Sequence, residues 1–305
     1  MTHALTGFVV VGFAIFIGWV LGKTGVLDAS ARGTLAKLVY WVLSPALLFV
    51  VLSKADASAL FSSLLPVSAI AALTVILIYA LVARLVWRRP AGEALIGALS
   101  AGQVNSSNIG IPLSLYILGS AAYPAPVVLF QLLVLTPVAL SILEVAAGGK
   151  FRVSAVLRAL VSPIILGSAL GVLVSVFGVE LPEMVFAPVE LIANACVPVL
   201  LISYGVSLHG QRVLGAAGQR GEVILASALK LFVMPALAWI LATAVFGLGS
   251  HETLIVVVLA ALPTAQNVFN YAQRFGVGET VARDTVFITT IGCVPILFLA
   301  TVLLR

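Results

Sequence analysis

Charge is what this chain has least of. Sixteen Lys and Arg and eleven Asp and Glu make up only 9% of its 305 residues, against 62% hydrophobic, and mean hydropathy is +1.23. Soluble domains carry about 25% charged residues, so the composition implies an integral membrane protein. Cysteine is scarce too. Cys196 and Cys293 both fall inside apolar runs, which speaks against a disulfide or metal framework. His3, His209 and His251 lie at run ends or in loops, so no embedded metal-hydrolase site can be built from them. Carboxylates are missing from the middle of the apolar runs, which argues against an antiporter resting on buried acids. A nucleotide loop is missing as well: Gly148-Gly149-Lys150 lacks the upstream glycine and the following Ser or Thr. Gly167-Ser168-Ala169-Leu170-Gly171 has no histidine placed to serve it as a nucleophile. ATP coupling and enzyme catalysis both lack parts. The apolar runs do not alternate, which excludes a β-barrel. The first run lacks the basic start of a signal peptide and reads as a retained helix.

What is present is length. At about 20 apolar residues per span, ten transmembrane helices are predicted, over 4–22, 34–53, 63–86, 94–119, 123–147, 155–177, 187–208, 223–246, 252–274 and 281–304. Thirteen of the sixteen basic residues fall in the odd-numbered loops, among them Arg88, Arg89, Lys150, Arg152, Arg158, Arg212 and Arg274. Loops rich in Lys and Arg stay cytoplasmic, so the sequence predicts a multi-pass protein of the cell (inner) membrane with both termini outside. The net charge of +5 belongs to these flanking loops and is no nucleic-acid signal. Ten spans suggest two five-helix repeats, residues 1–150 and 151–305. The odd number of helices per repeat inverts the second copy. Pro45 answers Pro198 at a spacing of 153, and Pro137 answers Pro295 at 158.

Two stretches break the apolar pattern. Asn105-Ser106-Ser107-Asn108-Ile109-Gly110-Ile111-Pro112 interrupts the fourth run, and Pro263-Thr264-Ala265-Gln266-Asn267-Val268-Phe269-Asn270 interrupts the ninth, 158 positions on. Proline has no N–H, so Pro112 and Pro263 deprive the carbonyls of Asn108 and Leu259 of helical donors. Unpaired backbone costs several kcal/mol in hydrocarbon and is tolerated only inside protein or beside a water-filled cavity. A half-helix is expected to begin after Pro112, its N-terminus suited to a carboxylate. Asn105, Asn108, Gly110, Pro112, Pro263, Thr264, Gln266 and Asn267 are therefore the candidate substrate-binding residues. A purely structural reading has these amides satisfying one another and the broken backbone. Lys230 is the one basic residue well inside a run, and an intramembrane charge is a functional candidate by default. It is expected to attract an anion, unless its stem snorkels to the cytoplasmic side.

Asn105 to Leu113, Leu262 to Phe269, Ala272, Arg274-Phe275-Gly276 and Lys230 with Pro235 resemble the auxin efflux carrier family of secondary transporters. The resemblance covers the whole chain. It implies an all-α integral membrane fold of ten helices in two inverted five-helix repeats, with broken, crossing fourth and ninth helices as in the bile acid:sodium symporters. It also implies elevator-like alternating access. The long central cytoplasmic loop of many plant members is missing here, which leaves auxin without support as the substrate. The expected function is transport of a small organic anion, with no enzyme activity and no cofactor. Na+ and H+ both stay open as coupling ions, and a homodimer is compatible with the chain. A sodium-coupled symporter of a larger amphipathic anion, or a non-transporting receptor or channel, is the alternative.

Overall fold

A computed structural model describes residues 2–54, 63–148, 162–208 and 217–304. Lys150, Arg152, Arg158, His209, Arg212 and the predicted repeat boundary at 150/151 lie outside these residues. The described chain is helical, with one isolated antiparallel bridge, Val104 to Thr264. In order, the helices are α1 Thr2–Lys23, α2 Gly33–Ser53, α3 Leu64–Leu85, α4 Ala91–Gly102, α5 Ser106–Leu118 and α6 Ala125–Ala146. They continue as α7 Pro163–Val176, α8 Glu183–Leu208, α9 Arg220–Val245, α10 Ser250–Ala261, α11 Gln266–Phe275 and α12 Glu279–Leu303. Six of the described segments are long and apolar enough to cross a membrane, and four more are shorter apolar helices.

Prolines shape these helices without ending them. Pro45, Pro112, Pro137 and Pro235 each follow, by two residues, the end of a π-helical turn: 39–43, 106–110, 131–135 and 229–233. A proline withholds its N–H, and its ring pushes away the carbonyl four residues back. Widening the preceding turn absorbs both, and such turns re-aim side chains. This corrects the expected position of the first break. Pro112 sits inside α5, and the chain interrupts its helix upstream, at Gln103 to Asn105. In the second case the proline is in the break itself, since α10 stops before Leu262 and Pro263.

The chain forms two compact units. One comprises Met1–Ser62, Ser107–Leu129 and Leu160–Gln211. Within it α1 lies against α8 and α2 against α7, and glycines set how closely. A Cβ at Gly18 would collide with the Ile202 carbonyl oxygen, and one at Gly171 would stand 2.6 Å from that of Phe49. Small residues allow such backbone approach between membrane helices, where van der Waals packing drives association.

The other unit comprises Ser63–Ser106, Phe130–Ala159 and Arg212–Arg305. Its core gathers Ile96 and Leu99 of α4, Leu135, Ala139 and Leu143 of α6, Ala265, Val268 and Ala272 around α11, and Ala282 of α12. Every residue of α10 from Thr253 to Ala261 is buried, as expected of a helix that is apolar all round. At one end Arg89 grips the buried Glu222 with Nε at 2.9 Å and a terminal nitrogen at 2.6 Å. Asp284, in the second turn of α12, is 1% exposed and paired with Arg283 at 2.8 Å.

Candidate functional site

The site is built where α4 and α10 stop. The two short extended pieces that follow them pair antiparallel. The Asn105 N–H donates to the Pro263 carbonyl at 2.8 Å, and the Ala265 N–H donates to that of Gln103 at 2.9 Å. The two interrupted helices thus meet through backbone, and each supplies what the other's break leaves unpaired. This is the accounting that a nonpolar interior demands.

Such a bridge bonds the flanking residues and turns the N–H groups of the bridge pair outward. Two side chains meet them. The Val104 N–H donates to Oε1 of Gln131 at 2.9 Å, and the Thr264 N–H donates to Oγ1 of Thr289 at 3.1 Å. Gln131 also donates from Nε2 to the Ser106 hydroxyl at 3.0 Å. Neither Gln131 nor Thr289 was singled out from the sequence. Each is a lone hydrogen-bonding side chain among apolar neighbours or beside another threonine, and the signal available was their spacing of 158.

The predicted residues separate into groups. Asn105 (4% exposed), Gln266 and Asn267 stand at the crossing. Gln266 and Asn267 open α11, whose first N–H groups have no partner within the helix and carry its positive dipole end. Asn267 is exposed and Gln266 half-buried, so this end is open on one side. Pro263 supplies a carbonyl to the bridge. Thr264 is fully buried, and its hydroxyl donates to the Ser100 carbonyl at 2.6 Å. It fastens the second extended piece to the end of α4.

Asn108, Gly110 and Pro112 belong to the other unit, on α5. Asn105 precedes that helix, in the extended piece after α4, so Asn105 and Asn108 do not share a helix. Lys230 is fully buried. Its Nζ donates to the Ala260 carbonyl at 2.7 Å and lies 3.2 Å from Sδ of Met234. Ala260 is in the last turn of α10, and its helical donor would be the Thr264 N–H, which goes to Thr289. The lysine therefore does not snorkel. It occupies the negative end of α10.

Neither piece of the crossing, 103–106 or 262–267, contains an acidic residue. A helix N-terminus, four side-chain amides (Gln103, Asn105, Gln266 and Asn267) and a set of fixed backbone dipoles gather there, a combination that favours a negatively charged ligand. Among the described residues, no group of three or more His, Cys, Asp or Glu that could hold a metal ion accompanies them. Residues 3–301 match the Membrane transport protein family. A protein of Rhizobium meliloti (strain 1021), named a proposed malonate transporter, is 27% identical over 301 residues, which is 94% of this chain and 92% of that protein.

Proposed function

Because the chain belongs to the membrane transport protein family, that of the auxin efflux carriers, we propose that it is a secondary transporter of a small organic anion, with the carboxylate bound at the crossing. It is a multi-pass membrane transport protein, not an enzyme. The observation that carries the proposal is the paired break. Two helices stop at one place, where the Asn105 backbone pairs with that of Pro263 and Gln266 and Asn267 open the positive end of α11. The relative named for malonate is consistent with a short dicarboxylate as cargo.

The finer architecture belongs to the same proposal: ten spans in two inverted repeats, residues 1–150 and 151–305, in the inner membrane with both termini outside. The glycine seams support it. The Gly18–Ile202 approach becomes Gly171–Phe49 when 153 is added to one partner and subtracted from the other. The same shift relates Pro45 to Pro198. Inverted repeats with discontinuous helices at their interface are a recurring transporter design. Two separate compact units suit an elevator, in which the unit holding the crossing carries the substrate.

Malonate counterflow in proteoliposomes tests the proposal. Wild type should accumulate labelled malonate against an internal unlabelled pool. Each of Asn105→Ala and Asn267→Ala removes one or two hydrogen bonds of about 0.5–1.5 kcal/mol, more to a carboxylate. Apparent affinity should then drop about ten- to a hundredfold. A shared ligand makes the double mutant lose less than the sum. Binding without counterflow would identify a receptor, and large unitary currents a channel. Wild-type affinity in both single mutants would remove the carboxylate from the crossing.

A further inference from the structure

We propose that Gln131 and Thr289 are equivalent positioning residues, one in each repeat, that hold the crossing in the shape its ligand meets. The inference rests on the anion site proposed above and concerns how that site is kept in place.

Backbone pairing alone leaves the crossing incomplete. The bonds of the bridge run from Asn105 and Ala265, so the N–H groups of Val104 and Thr264 point away from it. Val104 is 3% exposed and Thr264 0%, so water does not reach them. A buried N–H needs an acceptor. One comes from α6 and one from α12, at 2.9 and 3.1 Å.

The two acceptors hold matching places. Gln131 lies six residues before Pro137, and Thr289 six before Pro295; both pairs are 158 residues apart. The chemistry of each is fixed by its other bond. The Thr289 hydroxyl donates its proton to the Thr285 carbonyl at 2.7 Å, which leaves a lone pair for the Thr264 N–H. Gln131 gives its carbonyl oxygen to Val104 and its amide nitrogen to Ser106, so it braces Asn105 from both sides. Neither side chain is assigned to the ligand. Each fixes an amide next to a residue that is, Asn105 in one case and the start of α11 in the other.

The test compares malonate binding by purified full-length variants with their melting temperatures. Thr289→Val keeps the shape and removes the acceptor, and Thr289→Ser restores it. Gln131→Met removes both bonds of the amide. Thr289→Val and Gln131→Met should each weaken binding about tenfold, as expected for displaced hydrogen-bonding groups, while Thr289→Ser stays within about twofold of wild type. Lower melting temperatures with wild-type Kd in both variants would overturn the inference, because the side chains would then be structural only. Loss confined to the Gln131 variant would overturn the equivalence. Should the variants fail to fold, hydrogen exchange in the wild-type protein decides. The Val104 and Thr264 amides should be protected before any ligand is added, and exchange as fast as open amides would reject the brackets. A wild-type protein that binds no carboxylate sinks the anion site, and the same exchange measurement still judges the brackets by themselves.

Discussion

Lys230 shows how far a single residue's role depends on what it touches. As the one cation well inside an apolar run it invites a reading as the substrate's counter-ion. In the folded chain its Nζ is bound to the Ala260 carbonyl, and its surface is wholly covered. The position 158 residues earlier is Ala72, and there a Cβ on Gly102 would stand 2.7 Å from the Ala72 carbonyl oxygen. The end of α4 is thus met by close backbone packing, and the end of α10, 158 residues on, by an ammonium group. Cations at helix C-termini are favourable, by up to about 2 kcal/mol when partly buried. Lys230→Met should therefore lower the melting temperature, since it leaves a buried carbonyl unpaired at about 1–3 kcal/mol. It should change the affinities for malonate and for its half-amide by a similar factor. A loss selective for the dianion would return Lys230 to the ligand. The measurement is a pair of binding isotherms beside a melting curve.

Among the helices, glycine and proline do different work. The prolines at 45, 112, 137 and 235 leave helices continuous and widen the turn before them, and two of those turns carry Gln131 and Lys230. Proline here acts on aim rather than on length. Glycine acts on distance. Gly18 and Gly171 lie where a methyl group would strike a backbone carbonyl, which cannot swing aside as a side chain can. Overpacking of this kind costs about 1–3 kcal/mol, so Gly18→Ala and Gly171→Ala should each lower thermal stability in detergent. Gly12 is the control on the same helix as Gly18, with nothing within 4 Å of its would-be Cβ. Gly12→Ala should be neutral or slightly stabilising, by up to about 1 kcal/mol from helix propensity. Equal melting temperatures for Gly12→Ala and Gly18→Ala would contradict the seam.

For the molecule as a whole, units and repeats are different divisions. Each compact unit takes helices from both halves of the chain, and the path leaves one unit for the other between Ser106 and Ser107. The orientation proposed from the basic loops has a direct test, helped by the burial of both natural cysteines. A cysteine at Ala91, in the Arg88-Arg89 loop region, should be shielded from an impermeant thiol reagent in intact cells. One at Glu180, between α7 and α8, should react. The reverse pattern would invert the protein in the membrane.

The sequence by itself determined the membrane class, the helical composition, the family and the existence of two interrupted helices. These follow from composition, run length and local motifs, which act within about twenty residues of chain. Within those limits it misplaced one interruption, because Pro112 looked like a helix stop. A π turn lets the helix pass through it, and whether a turn widens depends on what the surrounding helices offer the displaced carbonyls. Only the tertiary structure decided which groups meet across the crossing. Val104 reaches Gln131 over 27 residues, Thr264 reaches Ser100 over 164, and Lys230 reaches Ala260 over 30. A buried hydrogen bond is chosen by proximity in space among all unpaired groups, and no local pattern of residue types carries that information.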